Sequence, residues 1–221
     1  MVVSNTLTLT DGLVASGTID AQGAISVGSA FDGGTARLNF ADDSEAQTIN
    51  VTSGAKLPYI YLDSASDAND SIILNASTEF YGLNITSGFS GTVPITFNGN
   101  NMTLNASGFT LAANVTFAPT SPFDFSNGVD FTQSDGTFTA PASMTLSGDG
   151  GNFTKSGGTF NEGTGTVIFA GQHSTYDVAT TETFYNVTLN KTGGWQLTVT
   201  SGDTMVVSNT LTLTDGLVAS G

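Results

Sequence analysis

Residues 1–17 and residues 205–221 carry the same sequence, MVVSNTLTLTDGLVASG, at a separation of 204 residues. An identity of that length does not arise by chance, and a fixed period marks a repeat array. The chain therefore reads as one full structural repeat, residues 1–204, followed by the start of the next, residues 205–221. Met1 corresponds to Met205 and Gly17 to Gly221, so these four residues bracket the junctions. Met1 accordingly reads as an internal methionine, with any signal or anchor segment lying outside the sequence given. Whatever fold the unit adopts must be one that its own continuation can extend, and the two copies are expected to occupy equivalent places in it.

Inside the unit the dominant pattern is alternation with a period of two. Residues 6–10, 48–52, 83–86, 101–105, 114–117, 187–189 and 197–199 each place apolar side chains on one face and Thr or Asn on the other. Between them fall turn signals at residues 11–12, 32–34, 98–99, 127–128, 135–136 and 149–151, where Gly or Asn can take a positive φ. Weaker echoes, residues 36–41 with 58–63 against 166–170 with 184–190, suggest that the unit grew by duplication of a smaller β element.

Short, closely spaced strands fit two all-β architectures. One is a β-solenoid, a right-handed parallel β-helix; the other is a string of β-sandwich domains. Sandwiches need longer strands and large core anchors, whereas this chain has one tryptophan, Trp195, and 15 phenylalanines spread from Phe31 to Phe184. The solenoid is the better fit. A coil of three short strands and three turns takes roughly 20 residues, so a 204-residue period holds about ten coils and advances on the order of 50 Å.

Composition limits what such a chain does. Nineteen acidic side chains against four basic ones give a formal charge of −15, which argues against a nucleic-acid or anionic-membrane partner. Glu, Lys and Arg are too few to build an amphipathic helix with ion pairs. No apolar run approaches the roughly 18 residues of a membrane span, so no insertion is expected within this window. With no cysteine and a single histidine, His173, most nucleophilic and thiolate-metal constellations lose a member.

The stretch Gly-Gly-Thr-Phe-Asn-Glu-Gly-Thr-Gly-Thr-Val-Ile-Phe-Ala-Gly at residues 157–171, then Thr-Phe-Tyr-Asn-Val-Thr-Leu-Asn at 183–190 and Asn-Thr-Leu-Thr-Leu-Thr-Asp-Gly at 209–216, resembles the tandem β-strand repeats of giant prokaryotic surface proteins and haemagglutinin-like adhesins. The likeness covers residues 157–221 well and 31–97 loosely, and its motifs are short. It implies right-handed parallel β-helices in a secreted or cell-surface fibrous protein, and no chemistry.

Ten N-x-[ST] sequons begin at Asn50, Asn69, Asn75, Asn84, Asn101, Asn105, Asn114, Asn152, Asn186 and Asn190. An outward row of Asn and Thr between inward apolar residues generates such motifs automatically, yet those outward positions are also where N-linked glycans leave a core undisturbed. Asp63, Asp67, Asn69 and Asp70 gather enough oxygen ligands to begin a calcium site, though no Gly or closing Glu makes an EF-hand of them; a solvated turn is the simpler reading. Asp42, Asp43 and Glu45 form a weaker acidic cluster. For catalysis only Arg37 near Asp42 and Asp43, and His173 near Asp177, offer any grouping, so no enzyme is expected and no catalytic residue is assigned. Trp195 reads as a packing residue, and Lys56, Lys155 and Lys191 as candidates for amide crosslinks only if the fold were a sandwich.

These features lead to one expectation: a structural repeat of an extracellular, cell-surface filament, in which identical units join end to end and no cofactor is required. An adhesin stalk that recognises surface glycans is the alternative, and a polysaccharide-active enzyme a distant third.

Overall fold

The computed structural model describes residues 1–41, 47–62, 71–74, 78–85, 91–93, 95–97, 102–104, 109–111, 115–119, 122–125 and 128–221. Among them there is no helix, and the strands stack in parallel as a β-solenoid. The coils hold up to three strands each. In one complete coil these are Ser143–Leu146, Phe153–Lys155 and Thr159–Asn161, here called the first, second and third sides.

Hydrogen-bond register fixes the stacking. A second-side column runs through Val2, Asp20, Asn39, Tyr61, Asn84, Thr110, Thr132, Thr154 and Asp177, about eight turns. Strands Gln196–Val199 and Leu217–Ser220 continue the stack to the C terminus. The shortest step in the column runs from Val2 to Asp20 and the longest from Asn84 to Thr110. Most coils are longer than the roughly 20 residues that three minimal strands and turns require, so the unit holds fewer than ten. The sandwich alternative is excluded, since parallel ladders join the described strands along the whole stack.

Alternation explains why the columns are apolar inside. On the second side Leu38, Ile60, Leu83, Phe109, Phe131, Phe153 and Tyr176 succeed one another, all buried. The rings stack: Phe109 on Phe131 at 5.4 Å, Phe131 on Phe153 at 4.7 Å, Phe153 on Tyr176 at 5.8 Å. A third-side ladder, Phe117, Phe138 and Phe160, stacks likewise at 5.6 Å per step. The two ladders meet edge to face inside the tube, as Phe131 does against Phe138 at 76°. Offset stacking along the axis and edge-on contact across it are the two geometries that aromatic quadrupoles favour. The phenylalanines are therefore concentrated in columns rather than spread.

Corners need other chemistry. Gly34 sits at φ 110°, and a Cβ there would run into the backbone carbonyl of Val14 in the neighbouring coil, so only glycine fits. Where corner carbonyls turn inward, buried polar side chains reach them. Gln133 Nε2 donates to the carbonyls of Gly136 at 3.2 Å and Thr159 at 3.0 Å. Gln47 Nε2 donates to Ala21 at 2.6 Å, and Lys191 Nζ to Ala170 at 2.8 Å. The bonds from Gln133 to Thr159, Gln47 to Ala21 and Lys191 to Ala170 each tie adjacent coils, and the Ala21 carbonyl also accepts from the Ala41 amide at 2.8 Å.

Candidate functional site: the open ends of the stack

A parallel stack leaves an unpaired edge at each end, and an open edge is a template for another strand. At the C-terminal end, strands Thr204–Asp215 and Leu217–Ser220 form the last coil. Leu211, Leu213 and Val218 register on Val187, Leu189 and Leu197, which are buried inward residues, so they point into the tube. They are nevertheless 54%, 65% and 60% exposed. Together with Met205 and Val207 they line an apolar cavity of about 370 Å³ that opens at the end of the tube.

The N-terminal copy of the repeated segment shows what the same sequence does with a coil after it. Leu7 registers on Ile25 and Leu9 on Val27. Leu7, the counterpart of Leu211, is only 7% exposed. Among the described residues, the Leu7 strand pairs only with a following coil and the Leu211 strand only with a preceding one. The following coil is therefore what buries this leucine.

The two copies do not occupy equivalent places. The Leu9 column passes through Val27 and Val51 on the third side. Leu213 lies in a first-side column that descends through Leu189, Phe169, Leu146, Phe125, Leu104 and Phe80 to Leu57. Val51 and Leu57 belong to successive sides of one coil. Likewise Val3 registers on Ala21 of the second side, while its counterpart Val207 registers on Phe184, which packs against Phe160 of the third. The ends match in sequence and differ in position around the tube, because the intervening coils do not sum to a whole number of turns.

The sequon asparagines divide. Asn69, Asn75, Asn101, Asn105 and Asn114 lie outside the described residues, as do Asp63, Asp67 and Asp70 of the calcium cluster and Asp42, Asp43 and Glu45. Asn50 is exposed in strand Thr48–Val51. The other four are half-buried. Asn84 donates to the Tyr59 hydroxyl at 3.3 Å. Asn152 Oδ1 accepts from the Thr175 amide at 2.7 Å, and Asn186 Nδ2 donates to the Gly165 carbonyl at 3.3 Å. Asn190 registers between Ala170 and Asp215 on the first side. At the junctions, the Met1 backbone nitrogen donates to the Thr18 carbonyl at 2.7 Å, and the Gly221 amide to that of Val199 at 2.8 Å. Gly17 takes φ 88°, and Met205 is half-buried.

His173 is exposed and meets the Trp195 ring edge-on at 4.6 Å, while Asp177 sits in the second-side column beside Thr154. Among the described residues, no three His, Asp or Glu side chains converge as a metal-binding group. Lys56 faces Glu79 at 3.6 Å on the surface. Lys155 pairs with Glu182 at 2.8 Å, and both are largely buried. Beside them, Tyr176 donates to the Thr204 carbonyl at 3.0 Å, and burial, with Glu182 adding repulsion, pushes its phenol well above the usual range. Burial alone lowers Lys191 to about 8 and raises the Asp124 carboxyl.

Sequence reasoning did not single out Leu211, Leu213 or Val218, nor the outward tyrosines. Tyr59 meets Tyr61 at 5.9 Å and Tyr81 at 6.4 Å, both edge to face, and the Arg37 guanidinium lies 3.3 Å over the Tyr61 ring. The end leucines were legible as counterparts of Leu7 and Leu9. The tyrosine group was not, because Tyr81 joins it from the next coil. Compared with known proteins, the chain matches no family model, no curated protein and no solved structure.

Proposed function

We propose that this chain is a structural repeat of an extracellular, cell-surface filament, extended by stacking β-coils within and between identical units. One observation carries the reading: the terminal coil exposes the inward-pointing Leu211 and Leu213, whereas under the coil that follows them their counterparts are buried at Leu7 and half-buried at Leu9. Covering the open edge by continuation removes the aggregation hazard and makes stability a sum of neighbour contacts. The apolar columns need no cofactor, and the surplus of carboxylates keeps neighbouring filaments soluble and apart. Exposed Asn50 is the described sequon best placed to carry a glycan.

The test has two parts. Antibodies raised against the chain should decorate continuous filaments on intact producing cells. In a two-unit chain, Leu211→Asp with Leu213→Asp in the internal copy should abolish the cooperative unfolding of the two units while leaving each folded. Label confined to the cell interior, or cooperativity untouched by the aspartates, would remove the reading.

The tyrosine group favours a second reading, an adhesive stalk. Aromatic faces beside Arg37, Asn39 and Asn84 suit a sugar ring with hydroxyls at its rim. Glycan-array binding that disappears with Tyr59→Ala and Tyr81→Ala would support it; no binding to any glycan would end it.

A further inference from the structure

We infer that successive units in the filament are offset by one side of the coil, so that each following unit is turned about the axis by a third of a coil relative to the one before. This rests on the stacking reading above and concerns how the interface between copies is built.

The shared segment traverses the second, third and then first side at the N-terminal end, where Val3 pairs with Ala21, Leu9 with Val27 and Gly12 with Phe31. At the C-terminal end the same segment traverses the third, first and second sides, where Val207 pairs with Phe184, Leu213 with Leu189 and Ala219 with Thr198. Each side is entered one strand late. The hydrogen bonds on both faces of the segment are compatible with this. The face toward the preceding coil is paired in the C-terminal copy, Thr212 on Thr188, and the face toward the following coil in the N-terminal copy, Thr8 on Ser26. A parallel strand uses different amide and carbonyl groups toward its two neighbours, so one segment can hold both pairings at once.

The occupant of the open C-terminal face is therefore defined as the coil formed by Thr18–Ala21 and Ile25–Phe31 of a following copy. Its Ser26 comes to rest in the column of Thr188 and Thr212, on the first side, although Ser26 within the first copy lies on the third. Three units bring the sides back into coincidence. Outward features such as Asn50 or the Tyr59–Tyr61 row then appear on all three sides in turn, and the filament presents no single decorated face.

The chain has no cysteine, so paired cysteines report neighbours cleanly. Two-copy chains, residues 1–204 followed by the full 221, are made with one of three pairs on the outward face. The first chain carries Thr188→Cys in the first copy with Thr8→Cys in the second. The second carries Thr8→Cys with Ser26→Cys, both in the second copy. The third carries Thr183→Cys in the first copy, on the third side, with Thr8→Cys in the second. Directly registered residues sit about 5 Å apart, within disulfide range, while residues on different sides do not. Near-complete disulfide formation in the first and second chains under mild oxidation, and none in the third, is the expected result. Disulfides in the second and third chains but not the first mean that the units stack without the offset, which overturns this inference and leaves the stacking reading intact. A disulfide in the second chain only, in the first only, or in none means that the following copy does not continue the terminal coil, and both fall.

Discussion

Phe131 lies on Phe153 with ring centroids 4.7 Å apart and planes within 11° of parallel, in successive coils. Neither ring has measurable exposure, and each also meets Phe160 edge-on. Phe131→Ala leaves a cavity in the middle of the stack and is expected to cost about 3–5 kcal/mol. Phe131→Leu should cost clearly less. Chemical denaturation measures the loss, and hydrogen exchange should locate it in the coils of residues 109–160 rather than at the ends.

Gly34→Ala tests the corners. Its φ of 110° and the adjoining Val14 backbone both exclude a side chain, so the cost should exceed about 1 kcal/mol. Because residue 34 seats the first coil, amide protection at Val14 and Ala36 is expected to fall before that of the aromatic coils.

The Lys155–Glu182 pair is largely buried, so removing one partner strands the other charge. Glu182→Ala is expected to lose about 3 kcal/mol. The double variant Lys155→Met with Glu182→Leu should recover most of it, and thermal melts of the three chains decide the matter. Recovery would show that the cost lies in the orphaned charge and not in the lost contact.

Lys191 is fully buried with one carbonyl partner and a pKa lowered to about 8. Between pH 8 and the unfolded value near 10.5, the unfolded chain holds a proton that the folded one has released. This group's contribution to stability therefore rises with pH across that window, and its burial cost is fully present below it. Lys191→Met should stabilise the chain at pH 7 by on the order of 1–3 kcal/mol, with the advantage shrinking toward pH 10.5. Urea denaturation of both chains at pH 7, 9 and 10.5 follows the difference.

Much of the fold was legible because alternation is a local signal. The segments at residues 48–52 and 197–199 became strands Thr48–Val51 and Gln196–Val199, and the Gly signals at 12, 34, 128, 136 and 150 all take positive φ. Coil length is harder to read. It is written in the even spacing of Phe109, Phe131, Phe153 and Tyr176, one aromatic per coil, but that spacing has meaning only once the four are known to share a column. Minimal strands and turns do not set it; the corners do, and their span depends on backbone bonds between coils that no single segment encodes. The same holds for the site. The repeated segment pointed to the junction, but its position around the tube depends on the summed lengths of all intervening coils. The inward roles of Gln133 and Lys191 were not legible, because their partners include carbonyls of other coils.

Fibre diffraction from aligned filaments of the tandem chain tests directly whether one coil stack runs from unit to unit. At roughly 22 residues per coil and about 4.8 Å per coil, a continuous stack gives a sharp reflection near 4.8 Å along the filament axis and an axial advance of about 45 Å per unit. A spacing of about 4.8 Å perpendicular to the axis, or none, with units spaced as separate beads, would contradict continuation of one coil stack from unit to unit.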